Sequence, residues 1–385
     1  MIKYLGSKRL LVPAILEIAD LLPGVSKVLD LFSGTARVGH AFKARGYEVV
    51  SNDHNAFAQV FAACYVGADA EETAAPASDL LLDLQEASPV DGWFTEFYAR
   101  RARYFRPERA AKIEGIRRRI EDLRLDPDLE AVCLTSLIEA ADRVDSTVGV
   151  QMAYLKEYAP RTRRPVELRM PELLPGKGEV LGLDALDAAA IEADLVYLDP
   201  PYNQHSYLGN YHVWETLARF DRPEVYGVAC KRVDCKTRKS PFNRKTEIRG
   251  ALETLLARIT APHVLLSFND EGFVRPEDIE SMLRARGPFL RLEIPYRRYV
   301  GARIGIHDGK GRKVGKPGRL KNTEILWLSS PDPSVCREVA ARFGSSEPFS
   351  GESFMTAMSR GTRTGRRARF TAISPLEDPD PRKMD

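Results

Sequence analysis

The sequence predicts an α/β fold with a largely parallel sheet, a mostly helical insertion and an antiparallel hairpin towards the C-terminus. Three observations predict it. Residues 25–67 read as strand, glycine turn, helix, strand and helix. Further apolar segments of strand length recur at Val180–Asp184, Leu195–Leu198 and His263–Asn269. Between them, from Asp79 to about Arg163, the pattern turns helical, which makes an insertion between two halves of one sheet.

Each element has a local reason. Val28-Leu29-Asp30-Leu31-Phe32 is the first strand, Ser33-Gly34-Thr35-Ala36-Arg37-Val38-Gly39 opens the first helix, and Tyr47–Ser51 is a second strand ending at Asn52-Asp53. Gly34 allows a tight turn, and the helix after it presents unpaired N–H groups to a polar ligand. The turn lacks a full Gly-x-Gly-x-x-Gly fingerprint, so by itself it specifies no nucleotide. Glu108 through Leu125 carries an apolar helical period on a charged background. A helix over 247–259 precedes the strand His263–Asn269, and Phe289–Ile294 and Thr323–Leu328 flank a loop of glycines and lysines as the two strands of a hairpin. These boundaries divide the chain into a first sheet half (1–78), the helical insertion (79–163), the rest of the core (164–330) and a C-terminal extension with a basic tail expected to be mobile (331–385). There is no internal repeat.

Composition sets limits. A 44% apolar content in 385 residues fits a folded chain with a substantial core, and no apolar run approaches the ~18 residues that suggest a membrane span. The N-terminus passes at once into a glycine turn, so no signal peptide is expected. Five scattered cysteines, 64, 133, 230, 235 and 336, form neither a disulfide framework nor a zinc pattern, and no metal is expected. The net charge of +3 is modest, but basic residues concentrate at Arg100–Arg119, Lys231–Lys245 and Lys310–Lys321, and five arginines lie between 360 and 369. Such stretches are solvated faces or phosphate-lined surfaces.

The most informative run is Leu195-Val196-Tyr197-Leu198-Asp199-Pro200-Pro201-Tyr202. Asp-Pro alone is an ordinary strand-to-turn junction. Here an apolar strand fixes the acid, two prolines restrict the backbone after it, and a tyrosine offers a flat face. Together they form a clamp for an exocyclic aromatic amine.

With Lys3-Tyr4-Leu5-Gly6-Ser7-Lys8 and Asp30-Leu31-Phe32-Ser33-Gly34-Thr35 upstream, the chain resembles the amino-methylating DNA methyltransferases, in particular the D12 class of adenine-N6 enzymes related to the Dam methylase, in the α motif order. The resemblance spans most of residues 1–330 and implies a Rossmann-like class I S-adenosylmethionine-dependent methyltransferase sheet. It implies a cofactor site built from Tyr4, Lys8, Phe32, Ser33, Gly34, Thr35, Asp53, His54, Asp184 and Ala185, with Asp53 towards the ribose and Asp184 towards the adenine amine. It makes Asp199, Pro200, Pro201 and Tyr202 the catalytic turn: Asp199 and the Pro200 carbonyl accept the N–H bonds of a flipped adenine and Tyr202 stacks on the base.

The implied partners are double-stranded DNA, recognised through residues 79–163 and approached by Arg232, Arg238 and the Lys310–Lys321 loop, and a cognate restriction endonuclease. The implied setting is the bacterial cytoplasm, at the nucleoid when DNA-bound. Two alternatives stay open: cytosine-N4 methylation through a related clamp, and a non-catalytic DNA-binding protein on a methyltransferase fold.

Overall fold

A computed structural model describes residues 1–152, 157–297, 321–344 and 371–373. Most of the basic loop, from Lys310 to Arg319, and the arginines from 360 to 369 lie outside the described residues. In chain order the principal elements are α1 (Val12–Asp20), β1 (Lys27–Asp30), α2 (Arg37–Ala44), β2 (Glu48–Asn52), α3 (Ala56–Ala62), α4 (Ala70–Gln85), α5 (Pro107–Leu123) and α6 (Pro127–Val144). They continue with β3 (Glu179–Leu181), α7 (Ala185–Ala188), β4 (Leu195–Leu198), α8 (Tyr207–Asn210), α9 (His212–Arg219), β5 (Val225–Tyr226), β6 (Lys231–Arg232) and α10 (Ile248–Arg258). The last are β7 (His263–Asn269), α11 (Pro276–Arg284), β8 (Phe289–Arg297), β9 (Lys321–Ser329), α12 (Pro333–Gly344) and β10 (Thr371–Ile373). The order is the expected alternating α/β pattern with a helical stretch in its first half. No helix of the described residues is long and apolar enough to cross a membrane.

Two compact units divide these elements. The first comprises residues 1–12, 26–193 and 203–260. In it β1 pairs parallel with β2, from Lys27 opposite Glu48 to Asp30 opposite Ser51, and β2 pairs parallel with β3, ending with Asn52 opposite Leu181. The strand expected at Val180–Asp184 stops at Leu181 because Asp184 turns to cap α7, its carboxylate accepting the Leu186 N–H at 2.9 Å.

The helical stretch has its own core, in which Phe94 lies edge-on to Tyr98 at 4.9 Å and packs on Phe105 at 6.1 Å. Glu114 is buried beneath it, where one carboxylate oxygen accepts the Gly92 N–H and the Thr95 N–H and hydroxyl while the other pairs with Arg118. A buried carboxylate is tolerated here because its hydrogen-bonding capacity is used.

The second unit comprises residues 13–25, 194–202 and 261–385. Its sheet is mixed: β4 pairs parallel with β7, β7 antiparallel with β9, and β9 antiparallel with β8, whose other edge takes β10 antiparallel. The expected hairpin strands are thus both present and extend to nine residues each. Every residue of β4 and β7 is buried, which is why both read as continuous apolar runs rather than alternating ones.

Two histidines of the first unit make its stability depend on pH. His40 and His212 are 4% and 0% exposed, and each ring Nε2 lies about a hydrogen bond from a backbone carbonyl, that of Glu172 at 3.1 Å and of Gln151 at 3.0 Å. Burial pushes His40 down to about 4 and His212 down to about 3 from the usual 6.5. Between those values and pH 6.5 the unfolded chain binds more protons than the folded one, so stability is full above pH 6.5 and is lost as pH falls. Substituting either histidine by asparagine should flatten the dependence of urea-unfolding stability on pH between 6 and 4.5, by about 1.4 kcal/mol per pH unit for each group. Parallel curves for wild type and variants would show that the buried rings are not responsible.

Candidate active site

In the first unit, the ends of β1, β2 and β3 are joined by one side chain. Asn52, 1% exposed, donates its amide N–H bonds to the carbonyls of Leu31 (3.3 Å) and Leu183 (3.2 Å) and accepts the Leu183 N–H at 3.0 Å. The Ser33 N–H in turn donates to the Asn52 carbonyl at 2.9 Å. Asn52 therefore sets the relative positions of the Phe32–Thr35 turn, Asp53 and the segment that leads into Asp184.

The turn itself is tightly wound. Gly34 and Ala36 both have left-handed backbones, with φ of 53° and 56°. The Gly34 N–H donates to Asp53 Oδ2 at 3.1 Å. Asp53 Oδ1 accepts the Asn55 backbone N–H (2.9 Å) and side-chain amide (3.0 Å), and the Gln59 amide holds the Asp53 carbonyl. Asp53 is half-buried and His54, beside it, is exposed. Phe32 meets Phe242 edge-on at 5.3 Å, while Ser33 and Thr35 are buried. Asp184 is exposed at the start of α7, followed by half-buried Ala185.

The N-terminal element joins the same set. A Cβ placed on Gly34 would lie 2.9 Å from the Tyr4 hydroxyl, so Tyr4 rests against the glycine turn. Its ring is nearly parallel to those of Tyr207 and Tyr211, with centroids 5.1 and 4.9 Å away. The Leu5 N–H donates to the Tyr211 hydroxyl at 2.7 Å, and Lys3 Nζ donates to Asp145 Oδ1 at 2.8 Å. Lys8, 5% exposed, lies on the turn Lys8–Leu10. Tyr207 and Tyr211 act here as braces for the N-terminal segment.

In the second unit, Asp199-Pro200-Pro201-Tyr202 follows directly on β4. Asp199, Pro201 and Tyr202 are half-buried and Pro200 is buried. The Tyr202 carbonyl accepts the Phe273 N–H at 2.9 Å, and its ring lies 5.6 Å from that of Phe268 near the end of β7. The turn is thus fixed from the neighbouring strand as well as by its prolines.

Two arginines expected to approach DNA are used inside the molecule. Arg232, 2% exposed, makes a bidentate pair with Asp221 at 2.7 Å through both terminal nitrogens and a further contact to Asp234 at 3.1 Å. Arg238 donates to Glu215 and to the His54 carbonyl. Arg117, from the first basic stretch, is also 2% exposed and donates to the Leu217 carbonyl while lying 4.7 Å over the Phe220 ring. At these three positions charge along the sequence overstates charge free at the surface, because acids and carbonyls of the same fold already occupy the guanidinium groups.

The motifs and their placement agree with an independent finding: the model of the D12 class N6 adenine-specific DNA methyltransferase family matches residues 4–282. The chain belongs to that family. Among known proteins, this D12-family chain is 32% identical over 327 residues to the modification methylase StsI of Streptococcus sanguinis, covering 78% of the chain and 49% of StsI. It is 33% identical over 208 residues to the type II methyltransferase M.FokI of Planomicrobium okeanokoites, covering 51% of the chain and 32% of M.FokI. With M.NlaIII of Neisseria lactamica it shares 28% identity over 273 residues, 68% of the chain and 80% of that protein. It thus spans about half the length of StsI and a third of M.FokI.

Family membership implies S-adenosylmethionine as cofactor. The first unit fits such a group. The Ser33 hydroxyl is buried with no hydrogen-bond partner among the described residues, next to a left-handed glycine. Asp53 already accepts two N–H groups on Oδ1 and one on Oδ2, which leaves a lone-pair direction on Oδ2 for a hydroxyl donor. An orphaned hydroxyl and an acidic acceptor at a glycine turn are the polar groups a nucleoside requires.

Gly34→Ala would place a Cβ in the left-handed region against Tyr4. It should lower stability by about 1–2 kcal/mol and weaken S-adenosylhomocysteine binding in titration calorimetry. Gly24→Ala, also left-handed (φ 73°) but with open space around the new Cβ, should show the strain without the binding loss. Equal binding by both variants would remove the Gly34 turn from the cofactor site.

Proposed function

We propose that this chain transfers a methyl group from S-adenosylmethionine to the N6 amino group of adenine in a specific DNA sequence. The observation that carries the reading is an Asp-Pro-Pro-Tyr turn at the end of a wholly buried strand, within the region matched by the D12 family. When bound, the cofactor supplies an electrophilic methyl group on a sulfonium.

In this reading the chain's residues position and polarise. Asp199 and the Pro200 carbonyl accept the two N–H bonds of the target amine, which directs the nitrogen lone pair outward. Tyr202 supports the base face, and an adenine in duplex DNA must leave the stack to reach such a turn. Asp53 accepts a ribose hydroxyl, Tyr4 and the Phe32–Thr35 turn line the cofactor, Lys8 offsets its carboxylate, and His54, Asp184 and Ala185 border its adenine end. The helical residues 79–163 serve as the target-recognition region. The designation of StsI as a modification methylase supports a cognate restriction endonuclease as partner, in a bacterial cytoplasm with the protein at the nucleoid when bound to DNA.

The test is base-resolved detection of label transferred from S-adenosylmethionine into a random-sequence duplex library. N6-methyladenine confined to a short motif is the expected product. Cytosine-N4 product would select the other amine, and DNA binding without any product would select a non-catalytic role. Asp199→Ala should lower turnover about 10²–10³-fold, as expected for losing a group that stabilises developing charge, with the unfolding midpoint little changed. Asp53→Ala should chiefly raise the cofactor concentration needed for half-maximal rate; a variant altered only in DNA affinity would misplace that acid.

A further inference from the structure

The helix that follows the Asp53 loop is capped from outside. Asn55 occupies the N-cap position of α3 without a side-chain cap hydrogen bond. The Phe57 N–H donates instead to Glu215 Oε2 at 3.2 Å, from a side chain on α9 that is completely buried. A carboxylate there satisfies an orphan donor of the first turn and lies at the favourable end of the helix dipole.

Its other oxygen accepts Arg238 Nη1 at 2.9 Å. The second terminal nitrogen of the same guanidinium donates to the His54 carbonyl at 3.0 Å, one residue past Asp53. A rigid fork thus ties the buried cap to the backbone of the acidic loop. Arg238 is itself held in a balanced cluster, with Asp234 3.7 Å away and Arg219 and Arg232 pairing with Asp221 and Asp234.

We infer that Arg238 and Glu215 are positioning residues for the ribose acid Asp53: Glu215 fixes the first turn of α3, and Arg238 fixes the His54 peptide against it. This rests on the proposed cofactor reading and assigns to a basic stretch of the sequence a task at the cofactor site. Neither residue is assigned a contact with the cofactor. Their effect on it passes through Asp53.

The experiment uses the full chain and S-adenosylhomocysteine as probe. Arg238→Met keeps the apolar stem but leaves the buried Glu215 with Arg219 at 3.9 Å in place of its hydrogen-bonded arginine, so Arg238→Met/Glu215→Gln is made beside it to remove that charge while keeping an acceptor for the Phe57 N–H. Both should bind the probe about tenfold more weakly in titration calorimetry, the loss expected for a hydrogen bond to a charged group. The KM for S-adenosylmethionine should rise in parallel while kcat stays within about threefold of wild type.

In an Asp53→Ala background the same substitutions should cost less than about twofold, because a group acting through Asp53 has nothing left to position. Without any ligand, hydrogen exchange at the Phe57 amide should accelerate in Glu215→Ala. Wild-type affinity in both Arg238 variants, or an equal loss with and without Asp53, would overturn the inference while leaving the methyltransferase reading intact. Failure of wild-type protein to bind the probe would overturn that reading and this inference with it.

Discussion

The buried amide of Asn52 is the contact on which the ends of β1, β2 and β3 depend. Where parallel strands stop, their last N–H and C=O groups lose their ladder partners, and a crevice cannot form there unless something satisfies them. Asn52 supplies two donors and an acceptor in one planar group, and it spends them on Leu31 and Leu183, at the ends of the neighbouring strands. With those groups satisfied, Asp53, the next residue, can stand half-buried with its carboxylate turned to the Gly34 N–H.

Burying charge follows the same rule elsewhere. Glu114 and Glu215 are fully buried, and each accepts a backbone N–H near the start of a helical turn as well as an arginine. Removing a carboxylate of this kind leaves donors without partners, and removing its hydrogen-bonded arginine leaves a buried charge less well compensated, so either change is costly. Arg117 and Arg232 show the complementary case, in which a guanidinium is buried because carbonyls and carboxylates meet its fork. The charge of these two arginines is therefore structural and unavailable to phosphates.

The N-terminal motif illustrates how far apart in sequence a site's supports can lie. Lys3, Tyr4 and Leu5 form no regular element of their own, and their placement comes from Asp142, Asp145, Tyr207 and Tyr211. Tyr4 reaches Gly34 only because those contacts hold the segment against the first unit. Tyr207 and Tyr211 follow the Asp-Pro-Pro-Tyr turn by a few residues, so the chain after the turn braces the motif that opens the sequence.

The sequence by itself determined the alternating α/β order, the helical stretch, the hairpin and the family, because these rest on local periodicity, on turn residues and on short motifs whose spacing survives without knowledge of distant contacts. It named Gly34, Asp53 and the Asp199–Tyr202 turn for the same reason: each sits where an apolar strand gives way to a polar turn. Only the tertiary structure decided that Tyr211 is a brace, that Arg232 is buried against Asp221, and that half-exposed Arg238 is tied to Glu215 and the His54 carbonyl. Those outcomes depend on partners 11 to 206 residues away along the chain, and pairing of that range leaves no period in the sequence. Its partners in the fold, not residue type, distinguish an arginine free to meet a phosphate from one that holds a loop.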